Sequence, residues 1–384
     1  MSQFELIHIQ GFRRLVDVKL QLRPLMVMIG ANGCGKTSFL DIWRILARAC
    51  DGQLRQVLSD MGGFTDVLTK GRSETLSLQL SQASEGRSPL EYHLKLGVQG
   101  VAYRIERETL TQQNRPTPTQ PMKYVDAEGI DIKYFDVEQR KLLRPTWEHD
   151  PFNTALAQVP KMFPQAEGLR RELASCVYYG PLDVSARSPV RLPQPLEPAE
   201  LPGENGERLI SCLYSLRETD RDRYEMVEDS IRVVFPGFER LEFPPVAAGM
   251  LAMTWKDKNF SKSLYTHQLS EGTLRFLWLA TLLQSRSLQT ITLLDEPEVS
   301  LHPELLGMLA DLMRQASKRT QLFVATHSDR LIGFLRPEEV VAVDVADNGE
   351  SQFTWGNELD LDHWLKDYTL DELWAMGVLG GRAT

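Results

Sequence analysis

The stretch GANGCGKT at residues 30–37 constrains the fold of this chain more than any other feature of the sequence. It fits the pattern G-x-x-x-x-G-K-S/T of a phosphate-binding loop, or P-loop. Residues 25–29 before it are all apolar, which predicts a strand buried on both faces of a parallel sheet. Residues 38–49 after it carry apolar side chains at helical spacing. A strand, a glycine-rich loop and a helix in this order predict a nucleoside triphosphate site in an α/β fold.

The residue types of this loop suit the binding of phosphate. Glycines allow backbone N–H groups to turn towards the phosphates, and the positive end of the following helix attracts the same anion. Lys36 supplies a positive charge for the β- and γ-phosphates, and the hydroxyl of Thr37 is suited to bind Mg²⁺. The candidate nucleotide-binding residues of the loop are Asn32, Gly33, Cys34, Gly35, Lys36, Thr37 and Ser38.

Cys34 within this loop has two interpretations. Thiol pKa values tend to fall near a helix N-terminus, so a redox switch on nucleotide binding is one interpretation. A tolerated small side chain is the other.

Two adjacent acidic residues follow a second apolar strand, predicted at residues 290–294. Parallel sheets bind ligands at the carboxyl ends of their strands, so Asp295 and Glu296 should face the P-loop. Asp295 is suited to hold Mg²⁺ together with Thr37, and Glu296 is suited to orient and deprotonate an attacking water. The alternative is that these acids cap an ordinary helix.

Two further signals are weaker when each is taken alone. The stretch LSEGT at residues 269–273 opens a helix predicted at 271–285, and Ser270 there indicates either an anion-binding surface or a plain helix N-cap. His327 follows an apolar strand predicted at 321–325. A histidine in this position is either a catalytic group or a structural hydrogen-bonding partner.

The composition excludes several classes of protein. The 384 residues are 42% hydrophobic and 25% charged, which is typical of globular chains. The formal net charge of −9 argues against a uniformly basic nucleic-acid coat and leaves a local basic patch open. We find no signal-peptide pattern and no apolar stretch near the ~20 residues of a membrane helix. The four cysteines have no metal-binding spacing, so we expect a cytoplasmic protein with reduced thiols and no membrane contact.

The order of predicted elements indicates one α/β core whose two ends enclose an inserted middle. Alternating stretches at 4–9 and 16–22, and again between 75 and 109, predict antiparallel strands. The prolines at 186–206 exclude regular structure there, and one helix is predicted over 207–234. The predicted division is an N-terminal lobe at 1–110, an insertion of loops, hairpin and helices at 111–261, and a C-terminal lobe at 262–384.

Four motifs in order carry a resemblance to a known family. The P-loop, LSEGT, LLDEPEVSLHP and ATHS resemble the motifs of ABC-type ATPase heads, and more narrowly those of the stand-alone RecF/SMC/OLD (overcoming-lysogenization-defect) group. The stretches IQGFRRL at 9–15 and LDELWAMGVLGG at 370–381 fit the same group. The resemblance implies an ABC-type P-loop ATPase head with a mixed sheet, antiparallel strands in its N-terminal lobe and a partly helical insertion. It also implies that the chain hydrolyses ATP with Mg²⁺.

The resemblance further implies that two heads associate head to tail with ATP between them. Ser270, Glu271 and Gly272 would form the signature that reaches the nucleotide on the partner copy. Glu271 stands where the transporter signature has a glycine, as is usual in the OLD-like subgroup.

Other site residues follow from the same resemblance. Glu296 would be the catalytic base, His327 would sense the γ-phosphate, and residues 300–302 would form the D-loop at the dimer interface. Arg13 would approach the nucleotide. No glutamine stands out as the Q-loop residue.

The function predicted from these features is a nucleotide switch. OLD-family nucleases carry a TOPRIM nuclease after the ATPase, but the chain after His327 is too short for another ordinary domain. There, residues 347–349 (Asp-Asn-Gly) predict a hairpin turn, and Asp360 and Asp362 form either a metal-binding pair or part of a solvated loop. We therefore expect a separately encoded nuclease-like or toxin-like effector, in phage defence or genome maintenance. The alternatives are a RecF-like DNA repair ATPase that binds DNA directly and a transporter ATPase subunit.

Overall fold

The computed structural model describes residues 3–84, 86–113, 121–136, 139–359, 364 and 367–379. These residues form two large sheets, two small sheets and the helices that cover them. The strands are β1 (Phe4–Phe12), β2 (Leu15–Gln21), β3 (Leu25–Ile29), β4 (Thr75–Gln82), β5 (Leu90–Gln99), β6 (Ala102–Gln112), β7 (Met122–Glu128), β8 (Asp131–Asp136), β9 (Lys141–Leu143), β10 (Val177–Tyr179), β11 (Gln194–Pro195), β12 (Phe238–Glu242), β13 (Met250–Leu251), β14 (Thr254–Asp257), β15 (Leu264–Tyr265), β16 (Ile291–Asp295), β17 (Gln321–Thr326), β18 (Val340–Val345) and β19 (Ser351–Trp355). The helices are α1 (Lys36–Cys50), α2 (Leu54–Asp60), α3 (Phe64–Val67), α4 (Pro164–Ala174), α5 (Leu209–Thr219), α6 (Arg221–Val234), α7 (Glu271–Gln284), α8 (Pro303–Ala316), α9 (Asp329–Ile332) and α10 (Leu370–Ala375).

The strands that precede the P-loop, the acidic pair and His327 belong to one six-stranded sheet. Its order is β10-β16-β17-β3-β18-β19, and all neighbouring strands run parallel except β19, which is antiparallel to β18. The register pairs Ile29 with Thr326 and Asp295 with Ala325. The P-loop, the acidic pair and His327 therefore lie at the same edge of the sheet, as expected for residues that follow parallel strands.

An eight-stranded antiparallel sheet forms the second large layer, in the order β2-β1-β4-β5-β6-β7-β8-β9. The antiparallel strands predicted from the alternating stretches are confirmed, and the mixed α/β fold class is confirmed with them. The sheet continues beyond residue 110, because β6 pairs with β7. The division of the chain at residues 110 and 261 stays a prediction, and residues 114–120 of the predicted loop lie outside the described residues.

Helix α1, which carries the P-loop at its start, is held between the two large sheets. One hydrophobic core joins α1 to the eight-stranded sheet and to one face of the six-stranded sheet. Trp43 packs on Phe4 of the eight-stranded sheet, with ring centroids 5.6 Å apart, and on Phe323 of the six-stranded sheet, with ring centroids 5.2 Å apart. A second core lies on the opposite face of the six-stranded sheet, against α5 to α9. Aromatic packing on both sides fixes the position of the P-loop helix.

The single helix predicted over 207–234 is wrong. The structure has two helices, α5 and α6, which meet at Asp220 with non-helical backbone angles (φ −144°, ψ 73°). The Asp220 side chain accepts a hydrogen bond from the backbone N–H of Arg223 and so caps α6. An aspartate is a strong N-cap, and this preference interrupts the helix although the apolar spacing continues through it.

Two other predictions near the C-terminus can be compared with the structure. β18 and β19 form an antiparallel pair around Gly349, whose φ is 83°, so the predicted hairpin is confirmed. Asp360 and Asp362 lie outside the described residues.

All four cysteines are free. Among the helices of the described residues, none is both long and apolar enough to cross a membrane.

Candidate functional site

The P-loop depends on glycine at two positions. Gly33 and Gly35 have φ values of 75° and 117°, in the left-handed region that favours glycine. Gly35 is also crowded, because a Cβ there would lie 2.6 Å from the Oγ of Ser351. Helix α1 begins directly after Gly35, so the N-terminal N–H groups of the helix point towards the loop.

The ammonium of Lys36 lies inside the P-loop. Its Nζ donates hydrogen bonds to the carbonyl oxygens of Gly30 (2.7 Å) and Ala31 (3.0 Å). Burial lowers the pKa of Lys36, while the nearby carboxylates of Asp295 and Glu296 act to raise it. Hydrogen bonds from an ammonium group to a phosphate are stronger than those to neutral carbonyls, so an anionic ligand bound in the loop would stabilise the charge of Lys36.

Cys34 does not have the lowered pKa expected near a helix N-terminus. The thiol is buried, and burial raises its pKa although Lys36 acts in the opposite direction. The Sγ atom lies 3.7 Å from the Nζ of Lys36 and would lie 2.6 Å from a Cβ on Gly30. These contacts favour the interpretation of Cys34 as a small packed side chain.

The two adjacent acids lie where β16 ends. Asp295 is half-buried, its Oδ2 accepts a hydrogen bond from the hydroxyl of Tyr178 (2.8 Å), and burial raises its pKa. Glu296 has a left-handed backbone (φ 49°), and its N–H donates to the carbonyl oxygen of Ala325. The helix-cap alternative is wrong, because the next helix begins at Pro303 with His302 at its N-cap.

His327 lies between Lys36 and Glu296. Its Nδ1 is 3.4 Å from the Nζ of Lys36, and its Nε2 is 3.3 Å from the Oε1 of Glu296. Burial, followed by the charge of Lys36, lowers the pKa of His327, which favours the neutral ring. With its proton on Nε2, the neutral ring accepts from Lys36 and donates to Glu296. The imidazole can therefore orient the Glu296 carboxylate.

The oxygen donors at this edge fit Mg²⁺. The described residues contain no cluster of three or more histidine, cysteine or acidic side chains that could hold a metal by itself. Mg²⁺ generally takes one or two protein ligands and completes its shell with water and substrate phosphate. The carboxylate of Asp295 and the exposed hydroxyl of Thr37 fit that requirement.

The signature stretch lies at the start of α7. Ser270 caps this helix, and its Oγ accepts a hydrogen bond from the N–H of Thr273 (3.1 Å), so the N-cap interpretation is confirmed. Ser270 and Glu271 are exposed. A Cβ on Gly272 would lie 2.7 Å from the carbonyl oxygen of Ser300 in the D-loop. None of the hydrogen bonds within the described part of the chain joins residues 269–273 to the P-loop.

Arg13 lies beside the P-loop helix. It follows β1 with a left-handed backbone (φ 45°). Its Nη1 is 2.7 Å from the Oδ2 of buried Asp41 and 3.3 Å from the Oγ of Ser38. Arg13 therefore reaches the helix directly after the P-loop.

The sequence analysis missed two side chains of this site, Tyr178 and Glu298. The Oε1 of Glu298 accepts hydrogen bonds from the N–H of His327 (3.2 Å) and the hydroxyl of Thr326. Its Oε2 is buried and has no hydrogen-bond partner among the described residues, and burial raises the pKa of this carboxyl. Glu298 is the third acid of LLDEPE and could have been found there. Tyr178 belongs to no motif.

Comparison with known families places these residues in context. The family described as "AAA domain, putative AbiEii toxin, Type IV TA system" matches residues 25–333, which include the P-loop, the acidic pair and His327. The chain belongs to this family. No curated protein matches the sequence of this AAA-domain protein.

Solved structures support the fold of this AAA-domain protein. It is similar to an Smc head bound to the C-terminal winged-helix domain of ScpA, with 15% identity, a TM-score of 0.56 and coverage of 94% of this chain and 99% of that chain. A Pyrococcus furiosus Smc head with an extended coiled coil, bound to the C-terminal domain of ScpA, gives 13% identity, a TM-score of 0.54 and coverage of 95% and 98%. The Smc head of Pyrococcus yayanosii gives 12% identity, a TM-score of 0.51 and coverage of 97% and 100%. The resemblance to ABC-type ATPase heads of the SMC group is thereby confirmed at the level of the fold.

Proposed function

We propose that this protein hydrolyses ATP with Mg²⁺ at the edge of the six-stranded sheet. The observation that carries the proposal is the convergence of Lys36, Asp295, Glu296 and His327 at the ends of three neighbouring parallel strands. His327 lies 3.4 Å from the Nζ of Lys36 and 3.3 Å from the Oε1 of Glu296, and Asp295 directly precedes Glu296. The family is one of P-loop ATPases, and these four side chain types supply a phosphate-binding cation, a metal ligand, a base and an orienting group.

Each side chain has a defined part in this proposal. Lys36 exchanges its bonds to the Gly30 and Ala31 carbonyls for bonds to the phosphates. Asp295 and Thr37 would hold Mg²⁺, and the bound ion would supply positive charge beside the transferring phosphoryl group. Glu296 accepts the proton of the attacking water, with a contribution of ~10²–10⁴-fold to the rate.

We also propose that two copies enclose each nucleotide head to tail. Ser270 and Glu271 are exposed, and residues 269–273 make no described hydrogen bond to the P-loop of their own chain. A second copy that contributed Ser270 and Gly272 to the γ-phosphate would complete the site. The free energy of nucleotide binding would then favour association, and a two-fold pair would contain two equal sites.

The output of such a switch would be a change in a separate effector. The name of the family refers to a toxin, and two of the similar Smc heads are bound to a domain of another protein, ScpA. The bound ScpA domains support an ATPase head that acts through a partner protein, and the family name supports a link to toxin systems. On this basis we propose a cytoplasmic ATPase that acts on a nuclease-like or toxin-like partner in phage defence or genome maintenance. Direct DNA binding in the manner of RecF would appear as an affinity that falls steeply with salt.

Glu296→Gln tests the proposal. The variant should bind ATP, hydrolyse it at least about 100-fold more slowly than the wild type, and remain dimeric with ATP in gel filtration. Glu225→Gln, at an exposed carboxylate of α6, serves as the matched control and should keep normal turnover. Lys36→Ala should prevent the ATP-dependent dimer. Near-normal turnover in Glu296→Gln would place the base elsewhere, and a variant that binds ATP as a monomer would contradict the composite site.

A further inference from the structure

We propose that Tyr178 is a positioning residue that holds the metal ligand Asp295 in its binding orientation. This inference rests on the proposed function and adds to it a side chain outside every sequence motif. Tyr178 lies in β10, which pairs with β16 so that Tyr178 is opposite Leu293 and Tyr179 is opposite Leu294. The phenol thus reaches the carboxylate at the end of the neighbouring strand, with its hydroxyl 2.8 Å from the Oδ2 of Asp295.

The hydrogen bond from Tyr178 restricts the rotation of the Asp295 carboxylate. A carboxylate at the end of a strand can rotate about its side-chain bonds, and a metal ligand must be held close to its productive orientation. The bond from Tyr178 uses Oδ2 and leaves Oδ1 to bind the cation or its water. Groups that hydrogen-bond to metal ligands orient them in this way in many metal sites.

Tyr178 is itself held by the P-loop helix. The guanidinium of Arg44 lies over the tyrosine ring, 4.6 Å from its centroid. Arg44 is paired at 2.7 Å with Asp41, and the other oxygen of Asp41 is paired at 2.7 Å with Arg13. Asp41 is buried while its two arginine partners are partly exposed, so these ion pairs are screened less than fully exposed pairs. A continuous chain of contacts therefore runs from Arg13 through α1 to the metal ligand.

These contacts connect the two elements that supply the predicted metal ligands. Thr37 lies on the first turn of α1, one turn before Asp41, and Asp295 lies at the end of β16. The two metal ligands come from different elements, so their separation depends on contacts between those elements. The side chains of Arg44 and Tyr178 make that connection beside the site.

Tyr178→Phe removes only the hydroxyl that makes this bond. Tyr179→Phe is the matched control, because Tyr179 lies next in the same strand, packs on Trp278, and has no hydroxyl hydrogen bond among the described residues. ATP binding is measured by calorimetry with and without Mg²⁺, and turnover is measured as a function of Mg²⁺ concentration. Thermal unfolding of the ligand-free variants checks that both fold like the wild type.

Tyr178→Phe should bind ATP without Mg²⁺ as tightly as the wild type. Mg²⁺ should increase the ATP affinity of this variant about 10-fold less than it increases that of the wild type. The variant should also need about 10-fold more Mg²⁺ for half-maximal turnover, as expected for the loss of a hydrogen bond to a charged group. Tyr179→Phe should match the wild type in both measurements.

The same Mg²⁺ dependence in both variants would overturn the role of Tyr178, while the Glu296→Gln result would still support the proposed function. A loss of ATP affinity in Tyr178→Phe that is equal with and without Mg²⁺ would also overturn it. A wild-type chain that binds no ATP would overturn the proposed function and this inference with it.

Discussion

The stability of Glu108→Gln relative to the wild type is expected to rise as the pH increases from 5 to 8. Glu108 lies in β6 and is completely buried. Its carboxylate accepts hydrogen bonds from the N–H groups of Ala155 and Leu156 and from the hydroxyl of Tyr92. These bonds attach the segment after β9 to the eight-stranded sheet. Burial nevertheless outweighs the three bonds and raises the pKa of Glu108 from 4.5 to about 7.

The magnitude follows from proton linkage. The folded chain binds this proton more tightly than the unfolded chain, so the carboxyl favours folding at low pH and that benefit is lost as the pH rises from 4.5 through 7. At about 1.36 kcal/mol per pKa unit, the full loss is about 3 kcal/mol. Most of this loss falls between pH 5 and pH 8. Glutamine carries no such proton, so the free energy of unfolding of Glu108→Gln relative to the wild type should rise by that amount.

Urea unfolding at pH 5, 6, 7 and 8 measures the difference. The glutamine amide faces N–H donors and carries a fixed cost, so the test is the change of the difference with pH and not its sign at one pH. Glu106→Gln is the matched control on the same strand, because hydrogen bonds from Arg104 lower the pKa of Glu106. Its difference from the wild type should be nearly flat over this range. A flat difference for Glu108→Gln would refute a buried carboxyl with a raised pKa.

Two further predictions concern the nucleotide site. Ser270→Arg should bind ATP without hydrolysing it, and mixing it with Lys36→Ala protein should restore at most one competent site per dimer; no restoration at any mixing ratio would count against a site shared between copies. Cys34 should be alkylated by iodoacetamide at pH 7.5 much more slowly than a free thiol, because burial raises its pKa. Mass spectrometry would contradict this expectation if it found Cys34 modified as fast as free cysteine.

The edge of the parallel sheet was predictable because its strands carry the information locally. The predicted strands at 25–29, 290–294 and 321–325 are mainly apolar, and each leads into a stretch with recognisable chemistry: the P-loop, the acidic pair and His327. One rule, that parallel strands end at the same edge, was then enough to bring Lys36 and Glu296 together. The same rule also places His327 at this edge, but its contacts with Lys36 and Glu296 were not predicted.

Tyr178 was not predictable for a physical reason. β10 is only three residues long, and its neighbour β16 begins more than a hundred residues later, so no periodicity marks the pairing. The ion pairs of Asp41 were also hidden, since an aspartate within an amphipathic helix reads as a solvent-facing residue. The break at Asp220 was missed because the apolar spacing continues through it, although an aspartate before a helical stretch is a capping signal.

Gly272 shows why the choice of variant decides what an experiment on the signature can establish. In the family resemblance this glycine contacts nucleotide on the partner copy, but within its own chain it also allows the carbonyl of Ser300 to approach α7. Ser300 and Glu296 both have left-handed backbones and belong to one loop, so a side chain at position 272 would displace the segment that follows Glu296, the proposed base. Loss of activity in Gly272→Ala would therefore fit a defect within one chain as well as a lost contact between chains. Ser270 is exposed, and its hydrogen bonds among the described residues lie within the first turn of α7. Ser270→Arg removes the N-cap of this helix but places no side chain against the carbonyl of Ser300, so it separates the two explanations better than Gly272→Ala.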